Sequence, residues 1–289
     1  MINGFQSLSL ESGRIRGMNA ITVLQAIILG GVQGATEFLP VSSSGHLVLV
    51  ADVLNIPSTF TSETLLNFGT ILVILIFFRK QIWKVVSDLF GKVLNLNQKR
   101  DVLLKLFVGV TPAVLIGIVF GDLIERNLHG PLTVTIMLLI VGALMIFVKP
   151  KQNPREALNT NVVQEVSFKQ ALIVGLVQPF ALISGTSRSG ITILAGIMTG
   201  MKVETAAAFS FLIGLPVILG ATLKLSVSSE GRDLVANNFS QFVAGNLASF
   251  LIGLGAVYLL MDVVKKRGLR PFGVYRVVLG LAVIAFVLL

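Results

Sequence analysis

Glu37-Phe38-Leu39-Pro40-Val41-Ser42-Ser43-Ser44-Gly45-His46 cuts an otherwise apolar region, residues 21–54, in half. A second polar stretch, Ser184-Gly185-Thr186-Ser187-Arg188-Ser189-Gly190, does the same to residues 168–200. In a bilayer, irregular backbone is tolerated only where it is buried in protein or lines a wet cavity, because lipid offers no hydrogen bonds. Each region therefore reads as a re-entrant hairpin, two half-helices whose tip lies near the midplane. Outward from the hairpins, six segments are apolar for about the length that a bilayer requires. They are 64–78, 102–120, 131–148, 203–224, 239–263 and 272–289, the first being the shortest. The expected fold is all-α and polytopic, with six transmembrane helices and two re-entrant helical hairpins.

Composition points the same way. Of 289 residues, 54% are hydrophobic and only 13% are charged, against about 25% charged in a soluble domain. Mean hydropathy is +0.88. The net charge is +9, and its Lys and Arg sit in short loops between apolar segments. That is the positive-inside bias of a membrane protein, and it argues against a nucleic-acid partner, which asks for one basic face. The absence of cysteine excludes disulfides, thiolate metal sites and cysteine nucleophiles. The apolar run 21–32 is followed by no small-residue cleavage site, so it reads as part of the mature fold rather than a signal peptide.

The two polar breaks also resemble each other. A shift of 145 residues, which carries Gln33 onto Gln178, carries Gly30 onto Gly175, Val32 onto Val177, Ser42 onto Ser187, Ser44 onto Ser189, Gly45 onto Gly190 and Gly69 onto Gly214. It also lays the first three spans on the last three. The chain thus reads as one membrane domain of two repeats, 20–149 and 165–289, each a hairpin followed by three spans. Basic clusters at Arg79, Lys80, Lys84, Lys92, Lys99 and Arg100, at Lys149, Lys151, Arg155 and Lys169, and at Lys265, Lys266, Arg267 and Arg270 are placed on the cytoplasmic side. The spans then alternate consistently, although Arg14 and Arg16 fall on the outer side, a small conflict with that bias. The first hairpin enters from outside and the second from inside. Three spans per repeat make the repeats inverted, with the site expected at their interface.

Glu37, His46 and Arg188 stand out because a charge at membrane depth costs about 3 kcal/mol or more and marks function by default. The plainer alternatives are a helix cap for Glu37, a polar filler for His46 and an ion pair between Glu37 and Arg188. Arg188 is a planar fork suited to phosphate. Ser42, Ser43, Ser44, Ser187 and Ser189 suit N-caps of the second half-helices, most simply Ser44 and Ser189. Two half-helix N-termini meeting at the midplane form an anion site. Gln33 lies one turn before Glu37 on the same face, and the two could hold a divalent cation through oxygen. Ser43 and His46, spaced i and i+3, pair a potential nucleophile with a potential base.

At this point the chain resembles the undecaprenyl-diphosphatase (bacitracin-resistance) family. The resemblance lies in Gln33-Gly34-Ala35-Thr36-Glu37-Phe38-Leu39-Pro40-Val41-Ser42-Ser43-Ser44-Gly45-His46 and in Gly185-Thr186-Ser187-Arg188-Ser189-Gly190-Ile191-Thr192. It continues through Asn67-Phe68-Gly69-Thr70, Gly214-Leu215-Pro216 and Arg270-Pro271-Phe272-Gly273-Val274-Tyr275-Arg276. It implies hydrolysis of undecaprenyl diphosphate to the monophosphate and phosphate, which recycles the lipid carrier for cell-wall peptidoglycan and confers bacitracin resistance. It implies dependence on Mg²⁺ or Ca²⁺, an inverted-repeat fold, a homodimer, and a place in the bacterial plasma membrane with the site opening outward. By the same resemblance Glu37, Ser43, His46 and Arg188 are catalytic, Ser42, Ser187, Arg188 and Thr192 bind substrate, and Glu37 with Gln33 holds the metal. Two positions depart from the family pattern: Gln33, often Glu, which removes a charge from the metal pair, and Ser184, usually Pro, which should loosen the second tip. The attacking group (Ser43, His46 or water) stays open. The rival reading is a carrier, such as a polyprenyl-phosphate flippase, since an inverted repeat serves transport equally well and fold does not decide function.

Overall fold

The computed structural model describes residues 21–54, 64–148 and 161–288, with side chains to residue 285. Arg14, Arg16, Lys149, Lys151 and Arg155, used above to orient the chain, lie outside the described residues, as does Leu289. Among the described residues every regular element is helical.

The first broken region forms two helices, α1 (Val23–Phe38) and α2 (Ser43–Val53). Helix α1 begins at a capping box, Thr22 accepting from Gln25 N–H and the Gln25 side chain closing back on Thr22 N–H. It ends because Leu39 must be extended ahead of Pro40. The chain restarts at Ser42, whose hydroxyl accepts from Gly45 N–H at 3.3 Å. The second broken region begins with another capping box, at Ser167 and Gln170. Its first arm, numbered α3 here (Phe168–Val177), tightens into a 3-10 turn, η1 (Gln178–Leu182), where Pro179 lacks the N–H of a regular turn. Its second arm is α4 (Arg188–Met198), capped by Ser187 on Gly190 N–H at 3.1 Å.

Among the described residues, three helices are long and apolar enough to cross a membrane: α5 (Leu96–Leu128), α6 (Val203–Val227) and α7 (Phe239–Arg267). With shorter apolar helices around them they make a polytopic membrane protein. Helix α8 (Pro131–Phe147) starts with proline at its first position, where no N–H is missed. Helix α9 (Arg270–Leu288) packs against it. Within its apolar window α6 is 61% buried, against 33% for α7 and 22% for α5, so α6 runs through the middle of the bundle. Leu103, Phe107, Leu115, Ile118, Leu247, Leu251 and Leu259 stand exposed on α5 and α7, as lipid-facing positions do.

The expected span 64–78 is shorter than its apolar run. Helix α10 covers only Asn67–Phe77, and α11 (Arg79–Phe90) follows at once. Eleven residues reach about 16 Å, half of a hydrocarbon core. The run ends where Arg79 and Lys80 begin a helix with a polar face. Short helices at Val162–Glu165 and Ser229–Asn237 were not expected from hydropathy, being too brief or too polar to mark a span. Helix α5 overshoots its expected 102–120 because the Asn95–Gln98 capping box starts it six residues earlier, in polar sequence.

Backbones approach closely at two places. Helix α1 lies along α7 so tightly that a Cβ on Gly30 would sit 1.9 Å from Gly245 O, and one on Gly34 2.3 Å from Ser249 O. Helix α3 meets α5 likewise, a Cβ on Gly175 falling 2.0 Å from Val108 O. Glycine allows both contacts, as small residues do between membrane helices. Each broken pair is thus gripped by a long helix from the other half of the chain.

Candidate active site between the two helix breaks

The turns at 39–42 and 183–187 face each other across the bundle. At both, a serine with positive φ, Ser42 at 79° and Ser187 at 69°, caps the following helix. Such a conformation costs a non-glycine residue about 1–3 kcal/mol and persists only where its surroundings impose it. The caps are therefore Ser42 and Ser187, not Ser44 and Ser189 as the simplest sequence reading has it. Ser44 lies 3.4 Å from Ser42 Oγ, and Ser189 donates to the Glu37 carbonyl at 3.3 Å.

Glu37 is the hub. Its Oε1 accepts from Arg188 Nη2 at 2.9 Å, closing an ion pair between the two halves of the chain. Its Oε2 accepts from Ser43 Oγ at 2.7 Å and from Gln33 Nε2 at 3.3 Å. Gln33 Nε2 is also 2.7 Å from Asn67 Oδ1. Both charged side chains of the pair are nearly buried, Arg188 at 11% and Glu37 at 12% exposure. The Nη1 end of Arg188 packs against Gly214, where a Cβ would meet it at 1.5 Å, and Nη1 is buried with no hydrogen-bond partner among the described residues. Next to Glu37 in the chain, the buried Phe38 packs on Phe211, which stacks on Phe78.

Gln33, Glu37, Ser43 and Arg188 are thus brought together. His46 lies one turn along α2 and does not bond to Ser43. Its Nδ1 is 2.7 Å from Ser42 O, and its Nε2 is 2.7 Å from Tyr275 Oη. Thr192 sits apart from the cluster. It is fully buried between α4 and α6, its hydroxyl engaged with Arg188 O at 2.6 Å and with Ser210 Oγ. At i+4 from Arg188 it falls back on its own helix, a common fate of a helical threonine.

Sequence reasoning gave no role to Arg276. Its side chain is fully buried in α9. Nη1 donates to Pro40 O at 3.3 Å, and Nη2 to Gly185 O at 2.7 Å and Met137 O at 3.0 Å. One guanidinium therefore holds both turns and α8. The signal was available: an arginine inside the apolar run 272–289 needs partners at depth. Asn67 and Tyr275, both inside quoted motifs, likewise gained roles only from the geometry.

Two serine-capped helix starts and an arginine–carboxylate pair that also takes a serine hydroxyl come together here, in a chain whose class is a helical membrane protein; such an arrangement suits an oxyanion. The family model described as Bacitracin resistance protein BacA matches residues 26–282, and the chain belongs to that family. It is 38% identical over 274 residues to Undecaprenyl-diphosphatase 1 of Clostridioides difficile, covering 92% of this chain and 96% of that protein. It is 36% identical over 276 residues to the Undecaprenyl-diphosphatase of Psychrobacter cryohalolentis, again 92% of this chain and 96% of the relative. With the Undecaprenyl-diphosphatase of Campylobacter hominis it shares 36% over 273 residues, 93% of this chain and 100% of that one.

Proposed function

We propose that this protein hydrolyses undecaprenyl diphosphate to undecaprenyl phosphate and inorganic phosphate, recycling the lipid carrier of cell-wall synthesis and so conferring resistance to bacitracin. The observation that carries the reading is the Glu37–Arg188 pair with Ser43 hydrogen-bonded to its carboxylate, in a chain whose full-length relatives bear the name of that enzyme.

The terminal phosphate sits between the N-termini of α2 and α4, its charge met by Arg188 Nη1 and the free N–H groups. Ser43 Oγ attacks the terminal phosphorus and passes its proton to Glu37 Oε2, the acceptor it already faces at 2.7 Å. The bond from phosphorus to the bridging oxygen breaks, and undecaprenyl phosphate leaves. Water then attacks the phosphoserine phosphorus, His46 takes the water's proton, the bond from phosphorus to Ser43 Oγ breaks, and Glu37 returns its proton to Oγ as inorganic phosphate leaves.

A divalent cation, Mg²⁺ or Ca²⁺, is proposed with this substrate. Among the described residues no three of His, Cys, Asp or Glu come together, so the protein would offer Glu37 and, once its amide turns over from the contacts Nε2 makes with Glu37 and Asn67, the amide oxygen of Gln33. Those hard oxygen donors fit a cation that the diphosphate itself helps to hold. When bound it neutralises phosphate oxygens and eases departure of the leaving group.

We further propose that the α1–α2 and α3–α4 pairs are re-entrant, that six spans complete two inverted repeats, and that the site opens to the outer face of the bacterial plasma membrane. The matching strained caps at Ser42 and Ser187, 145 positions apart, support the repeat, and the lysines and arginines that end α7 support the orientation. A homodimer is carried over as an expectation from the family resemblance.

The test is phosphate release from a polyprenyl diphosphate by detergent-purified protein, with and without Mg²⁺ or Ca²⁺, beside Glu37→Ala, His46→Ala and Arg188→Ala. Cation-dependent release abolished in all three variants supports the reading. No release from folded wild type overturns it and leaves a carrier on the same fold.

A further inference from the structure

Tyr275 lies outside the Glu37–Arg188 cluster, yet it makes two contacts with His46. Its hydroxyl is 2.7 Å from His46 Nε2, and its ring lies beside the imidazole with centroids 5.7 Å apart and planes 8° from parallel. The other ring nitrogen, Nδ1, faces Ser42 O at 2.7 Å. A carbonyl only accepts, so Nδ1 carries the proton in that contact and the neutral ring keeps its lone pair on Nε2. Nε2 therefore accepts from the Tyr275 hydroxyl. Ser42 O, as the N-cap carbonyl, also takes the His46 backbone N–H at 3.2 Å, which ties that side of the ring to the start of α2.

We infer that Tyr275 is a positioning residue for His46, fixing its ring plane and holding Nε2 as the proton-accepting atom. The inference rests on the proposed phosphatase reading, in which His46 takes a proton. Two features make the arrangement specific. The ring is held at both nitrogens, so neither rotation about the Cβ–Cγ bond nor a change of tautomer occurs without breaking a 2.7 Å contact. And Tyr275 is followed by Arg276, which ties the same turn of α9 to Pro40 O and Gly185 O. The hydroxyl of Tyr275 is therefore placed by the residue that also places both turns. The side chain of Tyr275 is itself 46% exposed, so a water or a substrate oxygen that takes the phenol's place finds the same lone pair in the same direction. A conserved orientation of a base by a partner hydrogen bond is the general way in which histidines are given one usable nitrogen.

Tyr275→Phe keeps the ring beside the imidazole and removes the hydrogen bond. It is expected to lower kcat for phosphate release about five- to ten-fold, the worth of one hydrogen bond at a catalytic group, and to leave KM within about two-fold. In a His46→Ala background the same change should have no further effect, because a residue that acts through His46 has nothing left to act on. ¹⁵N-histidine NMR reads the tautomer without any turnover. The chain has two histidines, so His46→Ala assigns the signals. Wild type is expected to show His46 with its proton on Nδ1, and Tyr275→Phe to show a mixture of tautomers. Wild-type kcat in a folded Tyr275→Phe protein, with His46→Ala strongly impaired, overturns the inference and leaves the phosphatase reading intact. A further fall of the residual His46→Ala rate on adding Tyr275→Phe, so that the two effects multiply, overturns it too, since Tyr275 then acts independently of His46. If no variant or wild type releases phosphate, the phosphatase reading has failed, and a mixed His46 tautomer in wild type would overturn the positioning role separately.

Discussion

Replacing Arg276 by methionine is the sharpest probe of how the two turns are held. The volume is nearly kept, so packing changes little. The Pro40 and Gly185 carbonyls lose the donor that meets them, and each stranded carbonyl costs about 1–3 kcal/mol. The Met137 carbonyl also loses a bond. Against this, the substitution removes a fully buried cation whose Nε has no partner, and desolvating such a charge offsets part of its bonds. The net expectation is about 3 kcal/mol of destabilisation, the low end of the cost of breaking a buried charged network. At about 2–4 °C per kcal/mol, Tm in a single detergent should fall by about 6–12 °C. Arg276→Lys supplies a point charge without the fork and should recover less than half of the loss. Phosphate release should fall in both, because the two turns carry Glu37's neighbours and Arg188. The measurement is Tm by fluorescence or circular dichroism, with activity measured on the folded fraction. A methionine variant whose Tm lies within about 2 °C of wild type would show that the turns hold themselves and that the clasp is incidental.

Two other substitutions separate packing from chemistry. Gly214→Ala places a methyl where Arg188 Nη1 now lies; the guanidinium end is flexible, so the fold should survive while phosphate release falls at least about ten-fold, the cost of misplacing one charged group. Gly30→Ala sets a Cβ 1.9 Å from the Gly245 carbonyl, a clash of backbone against backbone, and should lower Tm markedly; Gly121→Ala, on α5 with nothing within 4 Å, should hold or raise it, since alanine is the better helix former by about 1 kcal/mol. Equal thermal shifts in the pair would contradict the close approach of α1 and α7.

The two helix breaks were legible because a run of Ser and Gly in apolar sequence has one physical outlet, and Glu37 with Arg188 because unpaired charges at depth find each other. What remained hidden is of two kinds. Ser43 and His46 share a helix face by spacing, yet Ser43 turns to Glu37 and His46 to Tyr275, since the nearer partners lie on other elements that local spacing does not see. Arg276 sits inside an apolar run but only six residues beyond the loop cluster that ends at Arg270, so its depth is easily overlooked; the docking of α9 against α8 shows that its fork points inward. The length of α10 was misjudged for a related reason, as hydropathy measures what a segment tolerates and not where its neighbours let a helix stop.

The grip of each broken pair by a long helix of the other half also sets an order in time. Helix α3 finds α5 already synthesised, so it docks as it emerges. Helix α1 ends at Phe38 and its partner α7 begins at Phe239; at 5–20 residues per second the wait between them is about 10–40 s. During that wait the glycine face of α1, with Gly30 and Gly34, has no partner of its own chain and Glu37 has no Arg188. The first half of the protein is therefore an unfinished object while the second is being made, and the two halves, alike in sequence and geometry, differ in how long the cell must shelter them.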